Sequence, residues 1–330
     1  MNIKPSFSAD ILRIDCAKEI EKISNSLRHI VLKKFKKRGL IIALSGGIDS
    51  SVVGALCVQA LGKNNVLGLH MPERDSSHDT IKLSQLISDH LNIRSINEDI
   101  TPILESLGCY RRRDEAIQTL ISEYDSSYKC KIVLPNLLET DQYRTFSVIV
   151  QSPQEEQKRA RLTSSTYLQI LAATNFKQRV RKMLEYYHAD RLNYAVAGTP
   201  NRQEYDQGFF VKLGDGAADV KPIAHLYKSQ VYQIAEHLGI PKEIQKSVPT
   251  TDTYSMPQTQ EEFYFSLPYD KFDLCLYGKN HDISTDRVAN VAGLTMEQVK
   301  RVYKEISNKR TATKYLHTQP LVLDVIKEII

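Results

Sequence analysis

The stretch that most constrains this chain is Leu40–Ala60, LIIALSGGIDSSVVGALCVQA. Leu40–Leu44 is an apolar run of strand length. Ser45-Gly46-Gly47 is a tight small-residue turn, and Asp49 opens an amphipathic helix with Val52, Val53, Leu56 and Cys57 on one face. Strand, glycine turn and helix start in that order make an anion site, because free backbone N–H groups converge there and the helix dipole favours negative charge. Ser45, Ser50 and Ser51 add hydroxyl donors. The pattern is not GxxxxGK[ST], nor GxGxxG followed by a ribose-binding acid, so neither a Walker-type loop nor a dinucleotide-fold dehydrogenase is favoured. Asp49 is out of place in a phosphate-only cradle but makes sense if Mg²⁺ lies between acid and phosphate. An ordinary strand-to-helix turn would explain a bare S-G-G; it explains SGGIDSS behind a buried strand less well.

The stretch resembles the pyrophosphate loop of the N-type ATP pyrophosphatases. That likeness implies a single domain over residues 1–330 with an α/β fold: a Rossmann-like (adenine nucleotide alpha hydrolase-like) parallel sheet flanked by helices. Composition agrees with a globular chain, at 42% hydrophobic and 25% charged residues. A net charge of +5 suits an anionic substrate but is too small to argue for nucleic acid. No run has the length of a membrane span, and Met1–Asp10 has no signal-peptide pattern. The five scattered cysteines lack metal-ligand spacing, so free thiols and a cytoplasmic location are expected.

Along the chain, Ala9–Lys37 reads as one long helix with Ile20, Ile23, Leu27, Ile30 and Val31 in an apolar stripe, facing either a dimer partner or the sheet. Asn65–His70 is a second strand, ending at Met71-Pro72-Glu73 where a nucleotide base could rest; helix Ser77–Leu91 and strand Ser95–Ile100 follow. The segment at about 109–161 breaks this rhythm. Arg111-Arg112-Arg113 reads as a solvated face, Lys131–Leu134 and Tyr143–Val150 as a hairpin-like insertion, and Gln151–Arg161 as a polar connector. Thr166–Tyr187 is a basic helix, and strand Asn193–Ala197 runs straight into Gly198-Thr199.

A second constellation lies in Gly198–Lys228, GTPNRQEYDQGFFVKLGDGAADVKPIAHLYK. Glu204, Lys212, Asp215, Asp219 and Lys228 sit among glycines, and so many charges are costly to order unless ligands or metal pair them. GT-x-N-x-x-E-Y, GFF-x-K-x-GDG-x-x-D-x-x-P and L-Y-K-x-Q-V-Y together resemble the ammonia-dependent NAD⁺ synthetase family. Asn175–Arg179 resembles that family's N-x-K-x-R helix start, Val248–Asp252 its P-T-x-D loop, Tyr269–Asp273 its Y-D-x-x-D segment, and Asn308-Lys309-Arg310 its terminal H-K-R. The likeness runs from about Leu40 to Arg310.

What the resemblance implies is ATP-dependent amidation. ATP adenylates the nicotinate carboxylate of deamido-NAD⁺, releasing pyrophosphate, and ammonia then displaces AMP. Ser45, Gly46, Gly47, Ile48, Asp49, Ser50 and Ser51 are expected at the β and γ phosphates, with Thr199, Lys228 and Thr250 also on ATP. Asp49 and Glu204 are expected as Mg²⁺ ligands. Arg179, Lys212, Asp219 and Lys309 are expected on deamido-NAD⁺, with Tyr186 and Phe209 as stacking candidates whose alternative is core packing. Asp215, near a desolvated site, is the candidate for the ammonium proton. The resemblance also implies a homodimer. The chain departs from the family at Asn308, where His is common, and at Ala217, where Gly is frequent. A glutaminase domain is not expected, so nitrogen would come as free ammonia or from a separate ammonia-supplying protein. Competing readings are a related amidase acting on another carboxylate, a tRNA-modifying pyrophosphatase, and a non-catalytic nucleotide binder. The tRNA reading wants a basic patch or paired cysteines, and neither appears.

Overall fold

The computed structural model describes residues 7–134, 145–248, 250, 253–265 and 267–324. Asp15 caps α1 (Cys16–His29) by accepting the Lys18 N–H, so this helix begins later than expected. A 3₁₀ turn at Ala9–Leu12 precedes it and a π-type turn at Ile30–Lys34 follows. The single helix expected over 9–37 is therefore three pieces. Its apolar stripe is buried within the chain, with Ile20, Ile23, Leu27 and Val31 in one core.

The chain then alternates strand and helix: β1 (Leu40–Ala43), α2 (Ile48–Leu61), β2 (Val66–His70), α3 (His78–Leu91) and β3 (Arg94–Asn97). The third strand ends earlier than Ser95–Ile100 suggests because Ile100 turns directly into α4 (Thr101–Ser106), which is followed by α5 (Cys109–Gln118). The hairpin-like insertion expected over Lys131–Leu134 and Tyr143–Val150 appears as the antiparallel pair β4 (Lys129–Val133) and β5 (Ser147–Gln151), and β6 (Gln157–Arg161) adds a third antiparallel strand. Residues 135–144, which include the expected strand start at Tyr143, lie outside the described residues. Gln151–Arg161, expected as a connector, is instead a tight turn plus a strand. Its charged side chains hid it: β6 is mostly solvent-exposed and is held by pairing with β5.

Helix α6 (Ser164–Leu192) returns the chain to β7 (Ala195–Ala197), and the sheet closes in the order β3-β2-β1-β7, all parallel. This is the expected Rossmann-like architecture. Central β1 divides its side chains by the period of two. Leu40 and Ile42 enter a core with α1, α2 and α8 (Lys228–His237), while Ile41 enters the opposite core with α4, α5 and α6. Helix α2 is buried nearly all round rather than on one face, because it lies between the sheet, α1 and α8. The remaining helices are α7 (Arg202–Gln207), α9 (Lys242–Lys246), α10 (Tyr269–Asn280), α11 (Thr285–Ala292) and α12 (Met296–His317). The last three enclose a core of their own around Phe272, Val288, Val299 and Ile306.

All five cysteines are free. Among the described residues, no helix is long and apolar enough to cross a membrane. Strand order reverses direction at β1 and β7, and a crevice outside the strand ends is where ligands enter sheets of this kind.

Candidate active site

At that crevice a cleft of about 1540 Å³ opens, walled by the turn after β1, the ends of β2 and β7, the middle of α6 and the segment following α9. Helix α2 starts at Gly47 with no side chain capping it, which leaves its first N–H groups directed at the cleft. Gly46 has φ +76°, and a Cβ there would come within 2.9 Å of backbone atoms of α3, so the turn requires glycine. Ser45 and Ser50 hydroxyls lie 3.2 Å apart, and Ser45 Oγ accepts the Gly47 N–H at 3.3 Å. Ser51 does not join them. It is fully buried, and its hydroxyl donates to the Gly47 carbonyl at 2.9 Å, so its role is to hold the turn.

Two carboxylates meet over this turn. Asn201 links them: its Nδ2 donates to Asp49 Oδ1 at 3.0 Å, and its backbone N–H donates to Glu204 Oε2 at 3.1 Å. Lys228, the first residue of α8, is buried and ion-paired with Asp49 Oδ2. Burial, followed by the charge of Asp49, pushes the Glu204 carboxyl up to about 8. Burial pulls the Lys228 ammonium down, but Asp49 and Glu204 outweigh it and hold its pKa above the ordinary value. Asp273 on α10 fixes this helix start by accepting the Lys228 and Ser229 N–H groups at 3.3 and 2.8 Å and the Gln203 amide at 2.7 Å.

Of the other expected residues, Ile48, Thr199, Thr250, Arg179, Phe209, Lys212 and Asp215 lie on the cleft wall. Of its P-T-x-D loop, Pro249, Thr251 and Asp252 lie outside the described residues. Arg179 Nε donates to the Lys212 carbonyl at 3.4 Å. Lys212 Nζ donates to the carbonyls of Tyr315 and Thr318 at the end of α12, at 2.8 and 2.9 Å. Phe209 stacks on Tyr264 with ring centroids 4.7 Å apart. Asp215 accepts the Val211 N–H at 2.7 Å, and burial raises its carboxyl pKa.

Three expected substrate residues lie off the wall. Asp219 stays exposed beside β7, where it accepts the Val196 N–H at 2.7 Å and the Tyr186 hydroxyl at 3.3 Å; the pair anchors the loop to β7. Lys309 on α12 donates to the Tyr264 carbonyl at 2.6 Å and lies over that ring. These are contacts that Tyr186, Asp219 and Lys309 make within the chain.

Other residues carry more than their types announced. Arg113, read as part of a solvated face, is 2% exposed and pairs with Asp75 and Asp114 at 2.8 Å. Lys177 is equally buried and holds Glu73 and Asp75, both at 2.8 Å. Burial alone would raise the Asp75 pKa, yet Lys177 and Arg113 hold it below the ordinary value. Asn201 and Asp273 stood inside quoted motifs, GT-x-N-x-x-E and Y-D-x-x-D, and spacing was the signal available for them.

The NAD synthase family profile matches residues 19–127 and 137–315. The chain belongs to the NAD synthase family. An NH(3)-dependent NAD(+) synthetase of Rhizobium meliloti is 55% identical over 334 residues, covering 100% of both chains. The Mesorhizobium japonicum protein of the same name is 56% identical over 94% of this chain and 98% of its own. Among solved structures, the NH3-dependent NAD synthetase of Campylobacter jejuni has a TM-score of 0.61 at 21% identity, covering 94% of this chain and all of that one. The NMN synthetase of Francisella tularensis has a TM-score of 0.64 at 21% identity, over 95% of this chain and all of that one; at such identity these two share the fold. NAD synthases are carbon–nitrogen ligases, and the cleft of this one brings an uncapped helix start, two acids and a buried lysine to one place.

Proposed function

We propose that this cleft joins ATP to the nicotinate carboxylate of deamido-NAD⁺ and then exchanges AMP for ammonia. The activity itself, ammonia-dependent NAD⁺ synthesis as a carbon–nitrogen ligase, follows from full-length relatives bearing that name. The observation that carries the site assignment is the convergence of Asp49, Glu204 and Lys228 on the uncapped start of α2.

The donor set fits Mg²⁺. Two carboxylates within one hydrogen-bonded unit supply hard oxygen ligands, and this ion commonly takes one or two carboxylates and completes its shell with phosphate oxygens and water. Among the described residues no group of three or more His, Cys, Asp or Glu could hold a metal by itself, which agrees with a shell completed by substrate. When bound, the ion would neutralise charge as pyrophosphate leaves. Asp49 and Glu204 are its ligands in this proposal. The α2 N–H groups with Ser45 and Ser50 receive the β and γ phosphates. Lys228 exchanges its contact with Asp49 for phosphate, and Thr199 and Thr250 flank the nucleotide.

Two polyanions must be aligned with a neutral nucleophile, so the enzyme's main tasks are charge neutralisation and positioning. Arg179 and Lys212 face the dinucleotide, with Phe209 beside its ring. Asp215, whose ionised carboxylate burial makes a stronger base, takes up the proton that ammonium releases. The proposed assembly is a homodimer of single-domain chains, with ammonia free or delivered by a separate protein.

Product analysis tests this reading. Purified protein with ATP, Mg²⁺ and ammonia should convert deamido-NAD⁺ into NAD⁺ with equal AMP and pyrophosphate; a preference for nicotinate mononucleotide would replace the substrate assignment. Asp49→Ala and Glu204→Ala should each abolish Mg²⁺-dependent pyrophosphate release, and near-normal release from either would remove that residue from the metal site.

A further inference from the structure

The antiparallel sheet β4–β6 holds the segment that reaches the second acid. Cys130 on β4 pairs with this segment through both of its backbone polar groups: its N–H donates to Ser255 Oγ at 2.9 Å, and its carbonyl accepts the Met256 N–H at 3.1 Å. Gln258 Nε2 donates to the Ile132 carbonyl at 2.6 Å, and Lys131 pairs with Glu262 at 2.7 Å. Tyr254 is buried in the same core as Ile132, Val148 and Val150, with Phe263 packed against it. From the other side, Lys177 donates to the Thr253 carbonyl at 3.0 Å. Residues 253–263 are thus pinned at several points to a rigid sheet and to α6. The polar side chain they extend to the carboxylate pair is Gln260, whose Nε2 donates to Glu204 Oε1 at 3.2 Å on the cleft wall.

We infer that Gln260 is a positioning residue for Glu204, and that β4–β6 is the platform that holds it there. The inference rests on the proposed role of Glu204. The geometry is complementary: the Asn201 backbone N–H takes Oε2 and Gln260 takes Oε1, so each carboxylate oxygen has one donor that sets its direction. Fixing both oxygens removes rotation about the last side-chain bond, which is broad and nearly free in an unrestrained glutamate. A ligand so restrained loses less entropy when it engages a cation. A side chain serving the fold alone would be buried among its own neighbours. Gln260 instead stands half-buried on the cleft wall, where its amide reaches Glu204.

The test is calorimetric titration of the full chain with Mg·ATP, and separately with ATP in EDTA, for wild type and Gln260→Leu. A hydrogen bond to a charged group sets the scale, so Mg·ATP affinity should fall about tenfold. Binding of metal-free ATP should stay within about twofold, and the ligand-free melting temperature should be unchanged. Gln260→Asn, which keeps the amide but falls one methylene short, should move in the same direction. Wild-type Mg·ATP affinity in both variants, or an equal loss with metal-free ATP, overturns the positioning role. If wild type itself gains nothing from Mg²⁺, the metal reading of Asp49 and Glu204 fails instead, which is a separate result. For the platform, Lys131→Ala combined with Ser255→Ala should speed amide exchange across 253–263 and weaken Mg·ATP binding. Unchanged Mg·ATP binding in that double variant would remove the sheet from the argument.

Discussion

Asn201 serves two ends with one side chain. As the N-cap of α7 its Oδ1 accepts the Glu204 N–H at 3.2 Å, and through Nδ2 it reaches Asp49. These tasks can be separated chemically. Serine caps a helix about as well as asparagine but has no amide to extend to Asp49. Asn201→Ser should therefore keep the melting temperature close to wild type while freeing Asp49 from one of its donors. A hydrogen bond to a carboxylate is worth about 1.5–3 kcal/mol, so kcat/KM should fall by roughly tenfold to a hundredfold. Steady-state kinetics beside a thermal melt checks this. A loss of stability with intact kcat/KM would mean that the cap is all Asn201 provides. Lys228, also a donor to Asp49, stays in place in this variant, which keeps the half-buried carboxylate paired.

Between elements, α8 owes its position to α10. Asp273 is buried and supplies the acceptors that the start of α8 lacks, yet its carboxyl is pushed up to about 6 by burial, with the Ser229, Gln203 and Lys228 donors pulling the other way. A group whose pKa is raised on folding favours the folded state fully below its unfolded value, and that contribution is lost as pH rises through the folded value. The gap between 3.8 and about 6 corresponds to about 3 kcal/mol. Urea unfolding of wild type and Asp273→Asn at pH 4, 5, 6 and 7 should show wild type losing about 3 kcal/mol relative to the variant across this window; a difference flat in pH would sink the assignment. The same elements show what was legible in the sequence. Strand β1, the glycine turn and α2 were readable because each is specified within a few residues. Glu204 and Lys228 were readable because spacing in a motif marks them. Arg113 was not, since the acid that buries it, Asp75, lies 38 positions earlier. Nor was β6, whose sequence QKRAR has no apolar alternation and becomes a strand only by pairing with β5. Asp219 and Lys309 were expected on the dinucleotide because the family resemblance implies it. The contacts that occupy them here, Val196 and Tyr264, come from elements that only the tertiary fold brings close.

For the molecule as a whole, α6 does more than close the sheet. One side of it faces β1 and β7 and lines the cleft, while Met183 and Tyr187, one turn apart, are 58% and 60% exposed. Leu168 on the same helix is 59% exposed, and Leu213, on the loop that carries Lys212, is 72% exposed. Met183 and Tyr187, large side chains left exposed one turn apart on α6, are suited to an interaction site, and a helix that meets its own copy about a two-fold axis buries the same residues twice. The proposed homodimer is therefore best built through α6, rather than through α1, whose apolar stripe is already spent inside the chain. Met183→Glu combined with Tyr187→Glu would set like charges against each other across such an axis. Light scattering after gel filtration should give twice the chain mass of 37.6 kDa for wild type and the single mass for the double variant, with far-ultraviolet circular dichroism unchanged. A wild type that runs at 37.6 kDa at micromolar concentration would end the dimer proposal. A double variant that still runs at twice the mass would move the interface to another face. Arg179 and Lys182 share α6 with this outer surface and face the cleft, so loss of pairing should also raise KM for the dinucleotide more than it lowers kcat.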